Sequence, residues 1–311
     1  MATTKEILAG EGGSNLVETS IAEKIWNKAF DGSIVRRLTD AEPISMGRNA
    51  IPVQSVRPSA HVLSEGEVKK SSKYELGAKL IVPMKAQVQV RMSEEFVKTN
   101  PVNALAHLED EFAKAITRQI DLAVLHGKQA IDGTDINISG LVSVSDTANE
   151  VTVPADRALI EDAVLDGEEL LAAGGFYPSG YAFDPLGVTR FSRAATSGQR
   201  AFPELNSANP RTLSGFRGAY AAVSPTVSGR VDASTDTGVL AIAGDWSTVK
   251  LGYNSDVEFE VIEFGDPDQS GRDLKAHNEL MYRSEVFFGY TILDEDAFVL
   301  YKSESAGEPE A

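Results

Sequence analysis

The sequence predicts an α+β protein with a projecting hairpin, and three observations carry that reading. Val82, Met84, Ala86, Val88, Val90 and Met92 alternate with Pro83, Lys85, Gln87, Gln89 and Arg91, the period of a strand with one buried face. Leu105, Leu108, Phe112, Ile116, Ile120 and Ala123 recur every three or four residues, the period of an amphipathic helix. Between them in kind, Ala60–Leu63 and Tyr74–Leu80 flank a polar, lysine-rich tip over residues 64–73 that has too few apolar residues to form a core. Residues 46–90 therefore read as a long hairpin projecting from the body. A lone hairpin is marginal in water, so this one is expected to lie on a partner.

In chain order, the first 45 residues show little sustained periodicity. Gly10-Glu11-Gly12-Gly13 looks flexible, and Ile21–Phe30 reads as one short amphipathic helix through Ile21, Ile25, Trp26 and Ala29. This stretch is expected to act as an arm lying across something else. After the hairpin and the alternating strand, Asn100 can cap the long helix and Pro101 suits its first turn, while Gly127 ends it. Residues 101–126 would make a rod of about 39 Å at 1.5 Å per residue. Residues 128–155 are turn-rich. A second helix is expected at 156–172, with Leu159, Ile160, Ala163, Val164, Leu170 and Leu171 on one side, although Gly167 within it costs about 1 kcal/mol against Ala. Then come a strand at Tyr181–Phe183, an Asp184-Pro185 turn, a helix through Arg193, and mostly loops from 196 to 236. Val239–Ala243 and Val257–Ile262 read as buried strands, Glu279–Lys302 as an aromatic-rich strand segment, and 303–311 as a disordered acidic tail.

Composition narrows the function classes. Acidic residues number 46 against 29 basic ones, a net charge of −17, and such a field repels phosphate rather than gripping it. The absence of cysteine removes disulfides, thiolate metal sites and a Cys nucleophile together. His61, His107, His126 and His277 are too widely scattered to suggest a zinc cluster. The N-terminus lacks a basic region followed by an apolar run, and no stretch approaches the ~18 apolar residues a membrane span needs. A cytoplasmic protein is expected, with no cofactor and no metal.

Sequence motifs for catalysis are equally sparse. There is no Walker loop, no G-x-G-x-x-G opening a helix after a strand, no G-x-S-x-G elbow and no H-E-x-x-H. Asp132-Gly133-Thr134-Asp135-Ile136-Asn137 lacks the later Gly and Glu of a calcium loop and reads as a solvated turn. The acidic runs Glu109-Asp110-Glu111 and Asp166 with Glu168-Glu169 read as wet helix faces.

The order of these parts resembles the major capsid protein of tailed double-stranded DNA phages, the Hong Kong 97-type fold, from about residue 46 to 302. The runs that carry the likeness are Ala60–Lys69 with Ser71-Ser72, Leu80–Phe96, Asp121–Gly127, Ala182–Pro185, Gly198–Pro203, Gly244–Ser247 running to Leu251–Tyr253, and Arg283–Gly289 with Asp294 and Ala297. The resemblance implies an N-terminal arm (1–45), an extended loop (46–90), a peripheral domain with a spine helix (91–140), an axial domain (141–265), returning peripheral strands (266–302) and the tail (303–311). It implies a structural role: hexamers and pentamers of this chain forming an icosahedral shell around DNA that is enclosed without sequence-specific binding. The expected partners are a separate scaffolding protein, since no long charged leader precedes the arm, and a portal protein, with room for a decoration protein. Assembly is expected in the bacterial cytoplasm, and the product is the virion capsid.

Some members of this family join subunits by an isopeptide bond from a loop lysine to an asparagine, assisted by a glutamate. Lys69, Asn278 and Glu285 fall at positions that look like matches. A lysine amine must lose its proton to attack a carboxamide, and a nearby carboxylate could accept it as ammonia leaves. The plainer reading has Lys69, Lys70 and Lys73 as a charged tip docking on acidic neighbours, with Arg283 and Glu285 forming ion pairs within or between subunits. Because 278 and 285 differ by an odd number, a regular strand would place them on opposite faces. Two alternatives stand beside the capsid reading. An encapsulin-type nanocompartment shell protein would assemble a small shell without scaffold, portal or DNA. A cytoplasmic α/β enzyme would be a stable monomer with a small-molecule pocket.

Overall fold

The computed structural model describes residues 11–304, apart from 46, 48, 57, 74, 100–103, 145–148, 197–198, 207–211, 214–218, 231–235 and 255–257. Helices α1 (Glu11–Gly32) and α2 (Ile34–Leu38) lead into strands β1 (Ala41–Pro43), β2 (Asn49–Val56), β3 (Glu75–Ile81) and β4 (Met84–Ser93). Helix α3 (Glu94–Thr99), the long α4 (Ala104–His126) and the single turn α5 (Leu141–Val144) follow, then β5 (Glu150–Val153), α6 (Ile160–Ala173), β6 (Gly180–Phe183) and α7 (Pro185–Phe191). The rest is mainly strand: β7 (Ala195–Thr196), β8 (Gln199–Arg200), β9 (Thr212–Leu213), β10 (Ala219–Val223), β11 (Val239–Gly244), β12 (Val249–Tyr253), β13 (Glu258–Ile262), β14 (Glu279–Ile292) and β15 (Phe298–Ser303).

Helix α4 is the spine because its apolar period lets one stripe serve both halves of the body. Phe112, Ile116, Ile120 and Ala123 are buried in one cluster with Ile25, Trp26 and Ala29 of α1, Val286, Phe288 and Tyr290 of β14, and Ile242 and Leu300 of the second sheet. The helix stops at Gly127, whose φ of 67° is the left-handed conformation favoured by glycine. Residue 140 passes so close that a Cβ there would lie 2.2 Å from the Gly127 nitrogen. The Tyr290 hydroxyl donates to the Ala123 carbonyl at 2.7 Å, which also accepts from the Gly127 N–H at 2.9 Å, so the end of the helix is pinned to β14. His126 is buried and its pKa lowered by burial; as a neutral ring its Nε2–H donates to the Thr226 and Val227 carbonyls at 2.9 and 3.1 Å.

Two sheets flank this spine. In the first, β14 is central: β12 and β13 line one edge in succession, β4 lines the other from Met84 to Ser93, and β1 adds a parallel edge strand to β12. The second runs β5-β15-β11-β6-β10-β9. Its far face packs against α6 and α7 through Tyr181, Phe183, Val299, Tyr301, Ile160, Val164 and Phe191. Asp184 caps α7, accepting from Leu186 N–H at 2.8 Å, and Pro185 takes the first helical position where no N–H is needed.

Several expectations need correction. The N-terminal helix runs from Glu11 to Gly32 rather than over Ile21–Phe30 alone, and it does not hang loose: Ile25 and Ala29 are fully buried, and Thr117 Oγ1 donates to the Ala29 carbonyl at 2.9 Å. Hairpin pairing ends at Ile81, not 90, because β4 leaves at Pro83 to pair with β14. The second helix starts at Ile160, since Asp156 first forms a turn by accepting from Ala158 N–H at 3.1 Å. Gly167 is compatible with it for a packing reason, as a Cβ there would sit 2.2 Å from the Tyr301 hydroxyl. The stretch 196–236 holds a strand, β10, parallel to β6, with Ala219, Ala221 and Ala222 buried. Residues 279–302 are two strands of different sheets, so sheet membership crosses the boundaries expected at 141 and 266: β12 and β13 lie with β14, while β15 lies between β5 and β11. The expected Asn100-Pro101 cap and the tail beyond 304 lie outside the described residues.

Candidate functional site

The part of the molecule least explained by its own fold is the hairpin. Strands β2 and β3 pair antiparallel from Asn49 opposite Ile81 to Val56 opposite Glu75, with a register shift near the tip. Along β3 only Ile81, at the base, is buried. Apolar side chains that a monomer would be expected to hide stand in solvent: Val62 is 99% exposed, Val68 81% and Leu76 59%. At the tip, Gly66 turns the chain with a φ of 86°, and Glu67 accepts from Ser64 N–H at 3.0 Å. Lys69, Lys70 and Lys73 are all exposed there. Near its base the hairpin is fastened to the body, where Lys79 donates to the Ile292 carbonyl at 2.8 Å and Ile81 packs over Gly289.

The second candidate surface is the face of the first sheet turned away from the spine, where odd-numbered residues of β4 and β14 stand together. Glu285 is 7% exposed, yet it is neutralised within its own chain: Lys85 of β4 bonds its Oε2, and Arg283 Nε lies 3.6 Å from Oε1. Lys85 also sits over the Phe287 ring, 5.2 Å from its centroid. Arg283 in turn pairs with Glu260.

A few residues further along β4, Arg91 gathers a knot of acids from the 263–279 connection. It bonds Asp266 at 3.2 Å, Glu279 at 2.8 Å, Ser270 Oγ at 2.8 Å, and Asp268. Asp266 also accepts from Gly271 N–H at 2.7 Å, which folds the loop around the guanidinium. Arg91 holds the Asp268 carboxyl well below the usual carboxylate range and lowers that of Glu279. Sequence reasoning missed this knot. Its partners lie about 175 to 188 positions from Arg91, and the only local signal was the Gly/Asp-rich run 265–273.

The three residues expected at a crosslink do not meet within one chain. Lys69 is at the hairpin tip. Asn278 is outside strand β14 altogether: it ends a short turn in the left-handed conformation, φ 54° and ψ 47°, and its carbonyl accepts from Glu94 N–H at 2.8 Å. The parity argument therefore does not apply, and seven residues of extended chain put Asn278 roughly 23 Å from Glu285. An encounter of the three groups requires different subunits.

A groove of 1240 Å³ runs between β4 and α4, bordered by residues 129–138. Its two charged residues are already engaged, Lys85 with Glu285 and Asp135 with Lys128 at 3.1 Å. It presents no converging acid, base and nucleophile.

Comparison with known proteins follows the same line. A family model described as "Phage capsid family" matches residues 13–303. A protein named probable major capsid protein, from Mycobacterium phage D29, is 24% identical over 94% of this chain and 91% of its own length. Among solved structures, a chain from Gordonia phage Cozz is similar with a TM-score of 0.77 and 35% identity, over 88% of this chain and 87% of that one. A chain from Mycobacterium phage Ogopogo gives a TM-score of 0.73 at 28% identity, over 88% and 92%.

Proposed function

The chain belongs to the phage capsid family, and from that premise we propose how its parts build a shell. It is a major capsid protein with the Hong Kong 97-type fold, a structural component of the head of a tailed phage. One observation carries the assembly reading: a hairpin whose Val62, Val68 and Leu76 stand exposed, tied to the body near its base. Such an element costs stability in an isolated subunit and gains it by lying on a neighbour.

In this reading the chain forms hexamers and pentamers that close an icosahedral shell in the host cytoplasm, guided by a separate scaffolding protein and joined at one vertex by a portal. The first sheet with its spine helix is the peripheral part, and the sheet carrying α6 and α7 is the axial part. Lys69, Lys70 and Lys73 at the hairpin tip, with Arg283 and Glu285 on the sheet face, contribute intersubunit contacts. The negative charge suits a container that encloses DNA without holding each phosphate. Lys69, Asn278 and Glu285 serve docking rather than crosslinking, because Glu285 is already held by Lys85 and Arg283.

Negative-stain electron microscopy of the purified chain, alone and with the phage's other head proteins, tests the reading. Closed shells or five- and six-fold rings are expected. A homogeneous monomer under every condition, at high concentration and with scaffolding protein added, would sink it.

A further inference from the structure

In a chain with 46 acidic and 29 basic residues, an arginine without a partner in its own fold calls for a reason. Eight of the eleven described arginines have one. Arg91, Arg230, Arg272 and Arg283 are in ion pairs, Arg36 and Arg37 donate to carbonyls, and Arg118 and Arg200 are also engaged. Among the described residues, the side chains of Arg157, Arg190 and Arg193 make no hydrogen bond or ion pair, and Arg190 Nε is buried without an acceptor.

These three arginines share one corner of the molecule. The Ala195 N–H donates to the Arg157 carbonyl at 3.2 Å, and the Arg193 N–H donates to the Arg190 carbonyl at 3.1 Å, so the loop before α6 and the end of α7 are tied together there.

Helix α6, in the same layer, shows the opposite chemistry. Its buried side is Ala163, Val164, Gly167 and Leu171. Its outer side, at helical spacing, is Asp162, Leu165, Asp166, Glu169 and Leu170, all exposed, with Leu165 at 53% and Leu170 at 38%. The three carboxylates have no ion-pair partner among the described residues. At that spacing the two leucines stand about 140° apart, one on each edge of the acidic stripe.

We propose that these two surfaces meet between copies of this chain: the outer face of α6 on one subunit lies on the Arg157–Arg190–Arg193 corner of the next. Three carboxylates then face three guanidinia, a pairing whose fork geometry suits bidentate hydrogen bonds, and Leu165 and Leu170, on the two edges of the acidic stripe, are covered on either side of it. Because the two patches are different surfaces, the contact is heterologous, and repeating it around an axis closes a ring. A phosphate-bearing partner would engage the arginines but would leave the leucines and the carboxylates unexplained. The inference rests on the shell reading and adds to it a pair of matching surfaces.

The test is a charge exchange, with each variant's folding checked by circular dichroism and thermal melting. Arg190→Glu with Arg193→Glu reverses one surface, Asp162→Arg with Asp166→Arg reverses the other, and the fourfold variant reverses both. Assembled fraction is read by sedimentation velocity and electron microscopy under the conditions in which the unaltered chain assembles. Each single-surface reversal is expected to lower assembly by about tenfold or more, and the fourfold variant to recover it. Neutral Arg190→Gln/Arg193→Gln and Asp162→Asn/Asp166→Asn variants give the same direction with smaller losses, and keep the test readable if a reversal prevents folding. Unchanged assembly in either reversed variant, or a folded fourfold variant that stays dissociated, overturns the contact. So does an arginine variant that assembles normally but loses double-stranded DNA binding present in the unaltered chain, which would assign the corner to phosphate. If the unaltered chain never assembles, the failure lies with the shell reading instead.

Discussion

The body and the hairpin are built from similar residues under opposite rules. In the body, Trp246 is fully buried, its indole N–H donates to the Gly180 carbonyl at 3.0 Å, and its ring meets Phe298 edge-on at 5.4 Å. In the hairpin, Val62 and Val68 touch almost nothing of their own chain, at 99% and 81% exposure. The body packs most of its large apolar side chains into its own core, whereas the hairpin carries apolar surface whose burial must come from elsewhere. Stability of the subunit and stability of the assembly are thus written into different residues, and they should be separable by mutation.

The largest separation is expected from Trp246→Ala against Val62→Asp. The first removes a fully buried aromatic and should cost about 3–5 kcal/mol, seen as a large fall in the urea midpoint of the dissociated subunit. The second should leave that midpoint unchanged while reducing shell yield. A Val62→Asp subunit that unfolds as readily as Trp246→Ala would break the comparison.

The next effect sharpens the body's side through pH. Asp121 of α4 is wholly buried and accepts from Ser33 Oγ at 2.5 Å, Ile34 N–H at 3.1 Å and Val35 N–H at 3.4 Å, which fixes the start of α2 against the spine. Burial outweighs those bonds and pushes its carboxyl up to about 6. An acid whose folded pKa lies above its unfolded one stabilises the fold below the unfolded value, and that contribution is lost as pH rises through the folded one. Subunit stability should therefore fall by about 3 kcal/mol between roughly pH 4 and 6.5 on this account. Asp268 and Glu279, held low by Arg91, act oppositely and lose their contribution at lower pH as they protonate. Unfolding midpoints measured across this range, with Asp121→Asn as the flat control, check the sign. A curve as steep in the Asn variant would remove Asp121 from the account.

A smaller loss is expected at the end of the spine. Tyr290→Phe removes the hydroxyl that reaches Ala123, and should cost about 1 kcal/mol in the same urea experiment with no change in assembly. The smallest effect belongs to Lys69→Ala, which should alter subunit stability by no more than a few tenths of a kcal/mol. On denaturing gels, boiled shells of the unaltered chain should already run as a monomer; a ladder of covalent oligomers that disappears in Lys69→Ala would restore the crosslink.

What could be read from the sequence was mainly what is periodic and local. The alternation from Val82 to Met92 and the stripe from Leu105 to Ala123 each mark a boundary between a buried and a wet face, and both became elements close to the expected bounds. Strand β10, Ala-Tyr-Ala-Ala-Val, escaped notice because its small residues sit in a Ser/Gly/Pro-rich stretch and give no clear alternation. The lysine-rich tip was visible, since its polarity shows without knowledge of the fold. The Arg91 knot and the Lys85–Glu285 pair were not, because each joins residues brought together only by register between β4 and β14. Gly167 looked like a defect in a helix until Tyr301, 134 positions away, supplied the reason for it.

The two sheets also set a timetable. Strand β14 is the centre of one and β15 lies inside the other, with only residues 293–297 between them. Neither sheet can close until Glu279–Ser303 has left the ribosome. At 5–20 residues per second, the growing chain spends roughly 15–60 s without the strand that completes either half. During that time its unpaired edges and apolar faces are open to other nascent chains. Translation speed and chaperone supply while these two strands emerge should thus govern the yield of soluble subunits, before any question of shell geometry arises.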